Sequence, residues 1–303
     1  MFRFDNRQVV CDIAGVKIGG QPGVNPTALA GTMFYEGHKI VGNAAEGQFD
    51  KKKAGELIES MKKAGEESHV PGLLQLFFQN ETAGKKYVDF AIGEGNWNGP
   101  IVIDCVKPVD RAKIAGYCTE IGIADRTIYN SINSASEESE LELLADAEVY
   151  STILLAFNAL NGRVEGTTEL LENGGKVAKK GLLKVCEEIG MKNILIDPGA
   201  IPFGQKSQFL RSLIVLKAKY GYPVGCGIHN VPSAWKWLKK KDYRHACDIA
   251  SNALAIGYCS DFVLFGPIEN APEVFPIAAM CDIISAEQSG AKVSKEHPAN
   301  FLV

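Results

Sequence analysis

The chain has 303 residues, of which 46% are hydrophobic and 22% charged, with a net charge of −4. That balance excludes a disordered, collagen-like or coiled-coil chain. Without a basic excess there is no counterion-release drive toward nucleic acid, so none is expected as a partner.

Residues 1–27 read as an N-terminal hairpin extension, with runs at 9–13 and 16–18 flanking Ala14-Gly15. Such a hairpin is suited to plug the N-terminal mouth of a barrel. From residue 28 on, short apolar runs alternate with longer amphipathic segments. The first run, 28–34 (ALAGTMF), precedes a charged helix over 50–67 capped by Asp50, with Leu57, Ile58 and Met61 at helical spacing. The second, 73–77 (LLQLF), leads to a polar helix over 82–92. The third, 101–104 (IVID), precedes a helix over 109–121 that Gly122 ends. The fourth, 126–130 (RTIYN), precedes a helix over 137–146 capped by Ser136. The fifth, 151–157 (STILLAF), leads to a helical region over 167–189 broken at Gly174-Gly175. The sixth, 193–197 (NILID), leads to a helix over 207–220. The seventh, 223–227 (PVGCG), leads to a helical region over 232–256. The eighth, 261–265 (DFVLF), precedes a helix over 273–287.

Strands that are apolar throughout are buried on both faces, and strand–helix alternation makes a parallel sheet. Eight such units predict an α/β chain folded as a single (β/α)8 TIM barrel with the N-terminal hairpin. A barrel needs about 250 residues, so 1–303 reads as one domain. No GxGxxG joins a strand to a helix, and GGQPG at 19–23 has the wrong spacing, which argues against a dinucleotide-binding sheet. The eight cysteines form no CxxC pair and read as free thiols in a reducing cytosol. Asp5 interrupts any signal-peptide pattern, and no run reaches the roughly 18 apolar residues of a membrane span. A cytoplasmic protein with no membrane segment is expected.

Barrel enzymes place their chemistry at the carboxyl ends of the strands. Glu36-Gly37-His38 follow the first strand, Gln79-Asn80 the second, Asn158 the fifth, His229-Asn230 the seventh and Gly266-Pro267 the eighth. Asp104, Asn130 and Asp197 end the third, fourth and sixth. Asn and Asp also favour turns, and that plainer reading stays open for Gln79, Asn80 and Asn158. Asp104, Asn130 and Asp197 differ, because each sits directly on an apolar run and should point into the mouth. A buried carboxylate without a donor is costly, so two carboxylates and an amide there imply a ligand with paired donors. A carboxylate accepts well from two parallel N–H groups, and asparagine both donates and accepts. A pterin edge, with ring N3–H beside the 2-amino group, satisfies that set; spacing alone does not name it.

ILIDPGAIPFG (194–204), IVID (101–104), TIYNSINS (127–134) and PVGCGIHNVPSAW (223–235) resemble the pterin-binding barrels. That superfamily includes dihydropteroate synthase and the methyltetrahydrofolate:corrinoid methyltransferases. GGQPGVNPTALAGTMFYEGHKIV (19–41), with IYNSIN and GIHNVPSAW, is similar to the family formed by the H subunit of tetrahydromethanopterin S-methyltransferase and its stand-alone bacterial relatives. The likeness runs from Phe2 to about Ser285. It implies that Asp104, Asn130 and Asp197 bind the pterin, Asp197 on the amino-pyrimidine edge. It implies that the amide of Asn230 reaches pterin N5 as the catalytic group. Dihydropteroate synthase has a lysine in that region; none stands here, which argues for methyl transfer.

The implied reaction moves a methyl group between N5 of tetrahydrofolate, as acceptor or donor, and a cobalamin-type corrinoid carried by a partner protein. The alternative is the same transfer with tetrahydromethanopterin, within a larger complex. A methyl group leaving N5 needs that nitrogen protonated or hydrogen-bonded, whereas the reverse needs its lone pair free; an amide serves both. Relatives imply a homodimer. Two further readings stand beside this one. Cys226 and His229 form a C-x-x-H pair suited to a zinc methyltransferase, but only His38 or a distant cysteine offers a third ligand, so no directly bound metal is expected. A non-catalytic subunit that binds a pterin or docks a corrinoid protein is the other. Glu36 and His38 lie on a long loop at 35–49 that reads equally as a lid, a docking surface or a plain surface loop. His229 is either a simple loop residue or a pterin contact. The lysines at 239–241 read as a solvated helix end and those at 51–53 as a surface patch.

Overall fold

The computed structural model describes residues 3–201 and 207–303. An antiparallel hairpin comes first, β1 (Val10–Ile13) and β2 (Val16–Gly19), turning at Ala14 and Gly15. β3 (Ala28–Met33) starts the barrel, and a small antiparallel pair, β4 (Val41–Asn43) and β5 (Gln48–Phe49), stands in the loop after it. Strand and helix then alternate through α1 (Lys51–Ser68), β6 (Gly72–Phe78), α2 (Glu81–Ile92), β7 (Ile101–Cys105) and α3 (Pro108–Glu120). β8 (Thr127–Asn133), α4 (Glu138–Asp146), β9 (Ser151–Leu155), α5 (Val164–Asn173) and α6 (Leu182–Glu188) follow. β10 (Asn193–Asp197), α7 (Phe209–Tyr220), β11 (Gly225–Cys226), α8 (Asn230–Ala234) and α9 (Arg244–Gly257) lead to β12 (Phe262–Pro267), α10 (Ala271–Ser289) and α11 (Ala299–Leu302).

Eight parallel strands pair in the order β10-β9-β8-β7-β6-β3-β12-β11. A parallel bridge between Ile196 and Val224 joins the two ends of the ring, with the Ile196 N–H donating to the Pro223 carbonyl at 2.9 Å. The expected (β/α)8 barrel is therefore the fold. Leu74, Ile103, Tyr129 and Leu154 face outward and pack under the helices. Ala30, Leu73, Val102, Ile128, Ile153 and Leu195 face the axis, in one cluster with Cys11, Ile13 and Ile18 of the hairpin. The hairpin thus plugs the N-terminal end of the barrel. Below β11, Lys217 places its ammonium 2.6 Å from both oxygens of Asp261, which also accepts the Val224 N–H at 2.8 Å. That buried pair pins β11 beside β12.

Local chemistry explains where the elements depart from expectation. Asp50 caps α1 as anticipated, accepting the Lys53 N–H at 3.1 Å. Glu137 rather than Ser136 caps α4, because Glu137 and Glu140 form a reciprocal capping box. Ser136 instead accepts the Asn133 N–H through its hydroxyl. The long helical region after β9 becomes α5 and α6, with Gly174 capping α5 at φ +91°. β11 is only two residues long, and Pro223 cannot donate to a ladder. The region over 232–256 splits into α8, a 3₁₀ turn at Leu238–Lys240, and α9. Among the described residues no helix is long and apolar enough to cross a membrane.

Candidate functional site

The two-residue period of a strand builds the site. Two positions on from the axis-facing Ala30, Leu73, Val102, Ile128 and Leu195 stand Thr32, Gln75, Asp104, Asn130 and Asp197. A polar layer therefore lies directly on the apolar one, one pleat nearer the carboxyl mouth. Its members are linked along the strand order. Thr32 Oγ1 donates to Gln75 Oε1 at 3.0 Å, and Gln75 Nε2 donates to Asp104 Oδ2 at 2.7 Å. Asp104 and Asn130 are register partners on β7 and β8. Reading only the residues that leave each strand misses Thr32 and Gln75, which lie inside apolar runs. The signal that finds them is a polar residue at even spacing from axis-facing apolar ones.

Asp197 is 5% exposed, and its Oδ1 accepts the Gly199 N–H at 2.7 Å. Burial pushes its pKa up to about 7, against the pull of the Gly199 and Gly227 amides. Burial likewise pushes the partly buried Asp104 up to about 6, against the Arg111 charge and the Gln75 hydrogen bond. Neither carboxylate is in an ion pair among the described residues. Two desolvated acceptors in one mouth are matched by a neutral ligand rich in N–H donors. Arg111 braces this layer from outside the barrel. It donates to the carbonyls of Cys105 at 2.8 Å and Ser131 at 3.0 Å, the residues after Asp104 and Asn130. It also pairs with the buried Glu140, which accepts from the Tyr129 hydroxyl as well.

The chain leaves β11 through Gly227, where a Cβ would sit 3.0 Å from Asn230 Nδ2. Asn230 opens α8 at the rim and is exposed. His229 lays its ring against Gly266, at φ +87°, where a Cβ would lie 2.8 Å from the ring. Its Nδ1 is 3.3 Å from the Leu264 carbonyl, and burial lowers its pKa to about 4, so it is neutral at pH 7. The thiol of buried Cys226 is pushed well up by burial beside Asp197. Among the described residues no three His, Cys, Asp or Glu side chains group as a metal site, so Cys226 and His229 meet no third ligand there.

Other candidate residues serve the loops. His38 is buried, accepts the Phe34 N–H at Nδ1 and places Nε2 3.1 Å from Glu269. Its ring stacks on Tyr35, whose hydroxyl donates to the same Glu269 oxygen. His38 therefore clamps the loop after β3 to the chain after β12, while Glu36 beside it is exposed. Asn158 donates to the Gly166 and Gly175 carbonyls and accepts from the Leu160 and Asn161 amides, so its side chain is fully engaged in tying its loop to both ends of α5. Asn80 caps α2, accepting the Ala83 N–H, and Gln79 is exposed. The stretch ILIDPGAIPFG continues into residues 202–204, which lie outside the described residues.

The family model described as Tetrahydromethanopterin S-methyltransferase MtrH subunit matches residues 6–296. The H subunit of tetrahydromethanopterin S-methyltransferase from Methanothermobacter thermautotrophicus is 43% identical over 307 residues, covering 98% of each chain. That of Methanocaldococcus jannaschii is 41% identical over 321 aligned positions, covering 100% of each. Among solved structures, the DHPS of Yersinia pestis with a pterine-sulfa conjugate matches at TM-score 0.62 and 14% identity, over 93% of this chain and 100% of that one. Dihydropteroate synthase of Thermus thermophilus matches at TM-score 0.57 and 13% identity, over 90% and 98%. Identities that low show a shared barrel fold alone. The family match spans nearly the whole chain, so this chain belongs to the MtrH family of tetrahydromethanopterin S-methyltransferase subunits.

Proposed function

We propose that this chain moves a methyl group between N5 of a tetrahydromethanopterin-type pterin and the cobalt of a corrinoid carried by a partner protein, as one component of a larger methyltransferase in the cytoplasm. The observation that carries this reading is the polar layer: two desolvated carboxylates in no ion pair among the described residues, with Asn130 on β8 in register with Asp104, and Asn230 on the rim. The sequence reading puts tetrahydrofolate first, although no motif reads the tail in which the two pterins differ. Both pterins offer the ring that these residues would hold, and the relatives carry tetrahydromethanopterin in their names, which reverses that order. The reading takes 1–303 as one unit with 1–27 as its plug. It includes a homodimer, supported by exposed Leu254 on α9, Tyr258 at its C-terminal cap, and Met280 and Ile284 on the neighbouring α10.

Each residue then has a task. Ionised Asp197 accepts from ring N3–H and the 2-amino group; Asp104 and Asn130 hold the rest of the ring edge. Asn230 faces N5. When methyl leaves a protonated N5, the carbon–nitrogen electron pair stays on nitrogen, cobalt(I) takes the methyl with its own pair, and N5–H remains. In reverse, the N5 lone pair attacks the methyl, the cobalt–carbon pair returns to cobalt, and N5 gives up a proton. An amide can donate to N5 or turn its oxygen to N5–H, so it favours neither direction. The remaining acceleration is alignment of the two reactants. Anaerobic calorimetric titration with each reduced pterin tests the reading. Tetrahydromethanopterin is expected to bind tighter than tetrahydrofolate. Tighter tetrahydrofolate binding would put tetrahydrofolate first again, and binding of neither would end the pterin reading.

A further inference from the structure

The chain that leaves the rim after Asn230 does not return at once to the barrel wall. α8 ends at Ala234, a 3₁₀ turn occupies Leu238–Lys240, and α9 begins only at Arg244. Successive turns hold this arm: Leu238 donates to the Trp235 carbonyl, Lys241 to that of Leu238 and Arg244 to that of Lys241, each at 3.0 Å. Within 235–243 only Leu238 is buried, and it anchors the arm. Around it, Trp235 and Trp237 have ring centroids 4.8 Å apart, and Tyr243 lies 6.0 Å from Trp237, which is 54% exposed. Lys236, Lys239, Lys240, Lys241 and Arg244 stand among these rings against one acid, Asp242. Lys241 Nζ is 5.2 Å from the Trp237 ring centroid.

Ordinary surface chemistry does not account for this arm. On α1 and α2 the surface lysines Lys51, Lys52, Lys53, Lys62, Lys63 and Lys85 each lie within 4.0 Å of an acidic oxygen, whereas the arm packs its cations together without such partners among the described residues. None of the five cations of the arm is in an ion pair among the described residues. The chain as a whole is net negative, so composition does not explain a local excess of unpaired positive charge. Exposed rings between such cations are complementary to a ligand that is aromatic and anionic at once.

We propose that the arm at 235–244 is the binding site for the tail of the pterin, its rings stacking on the tail's aryl group and its cations holding the carboxylate or phosphate groups beyond. This rests on the pterin reading above and deepens it. A ring held by Asp197 inside the mouth must send its tail out over the rim. The five residues of α8 rise about 7.5 Å, so the arm begins within one short linker of the residue that faces N5. The ring-holding residues are blind to the tail, and the arm supplies the part of recognition they lack.

The test is an anaerobic titration of the full chain with two probes, tetrahydromethanopterin, which has the tail, and 6-methyltetrahydropterin, which lacks it. The proteins are the parent, Trp237→Ala, and a triple variant with Lys239→Ala, Lys240→Ala and Lys241→Ala; all four side chains are exposed, so folding is kept. The parent should bind the tailed pterin at least about tenfold tighter, with the advantage shrinking as salt rises. Both variants should lose most of that advantage and keep the parental affinity for the tailless probe. Equal affinity of the parent for both probes overturns the proposal. So does an advantage that survives in both variants while capture of the corrinoid protein falls, which would make the arm a protein-docking surface. Failure of the parent to bind either probe removes the pterin reading itself.

Discussion

Asp197→Asn is expected to move stability and binding in opposite directions. Burial raises the pKa of this carboxyl from the ordinary 3.8 to about 7. The folded state thus holds the proton more tightly than the unfolded one. The stability this gives is fully present below about pH 4 and is lost as pH rises through about 7. A displacement of that size corresponds to on the order of 4 kcal/mol between the protonated and ionised forms. Asparagine stays neutral at every pH, but its amino group needs an acceptor of its own. The net gain at pH 8 is therefore expected to be about 1–3 kcal/mol, shrinking toward zero near pH 4. Binding goes the other way. An ionised carboxylate takes two charge-assisted bonds from the pterin edge, whereas an asparagine presents one acceptor and one misplaced donor. Losing one such bond costs about 1.5–3 kcal/mol, or roughly ten- to a hundredfold in Kd. Parental affinity should also rise about tenfold per pH unit up to about pH 7, and the variant should lose that slope. Urea unfolding at pH 5 and 8 and pterin titration from pH 5.5 to 8.5 check both halves. A variant less stable than its parent at pH 8, or one that keeps the parental affinity and slope, would refute the reasoning.

Arg111→Met leaves the fully buried Glu140 without its cation, and should destabilise by about 3–5 kcal/mol in urea unfolding. The Arg111 charge also lowers the Asp104 pKa, so its loss should move the lower limb of the pH profile of pterin binding upward. Lys217→Met should destabilise by a similar amount, about 3–5 kcal/mol, because it strands Asp261 between β11 and β12. Gly266→Ala places a Cβ against the His229 ring at a positive φ, and should cost about 1–3 kcal/mol in stability. Because His229 precedes Asn230, that variant should also lower the turnover rate more than it weakens pterin binding, read as kcat against KM.

Strands buried on both faces are legible because nothing but an apolar run can fill them. Asp104 and Asp197 stand out for the same reason, as charges ending such runs. Gln75 escapes a reading of strand ends because its partners, Thr32 and Asp104, lie on neighbouring strands. The role of His38 rests on Glu269, far along the chain, and that of Asn158 in part on Gly175 beyond α5, and no local pattern reveals such partners. The lysines at 239–241 look like a helix end in the sequence because helical periodicity runs through 232–256. The 3₁₀ turn that carries Lys239 and Lys240 and exposes all three is anchored by Leu238 packing inward, a tertiary choice. Ser136 and Glu137 are both able caps, and Glu140 three residues beyond Glu137 decides between them.

The central claim is methyl transfer at N5 beside Asn230. Its most direct test is anaerobic mixing of the purified protein, methylcobalamin and tetrahydromethanopterin, for the parent and for Asn230→Ala. The account predicts cobalt(I) and methylated pterin appearing in equal amounts. It also predicts a rate about a hundredfold lower in the variant. Because Asn230 is exposed, the stability of the variant should stay within about 0.5 kcal/mol of the parent. An Asn230→Ala protein that transfers methyl at the parental rate would contradict the role given to that amide. A parent that binds the pterin and yields no methylated product, even with a protein-bound corrinoid, would contradict the claim as a whole.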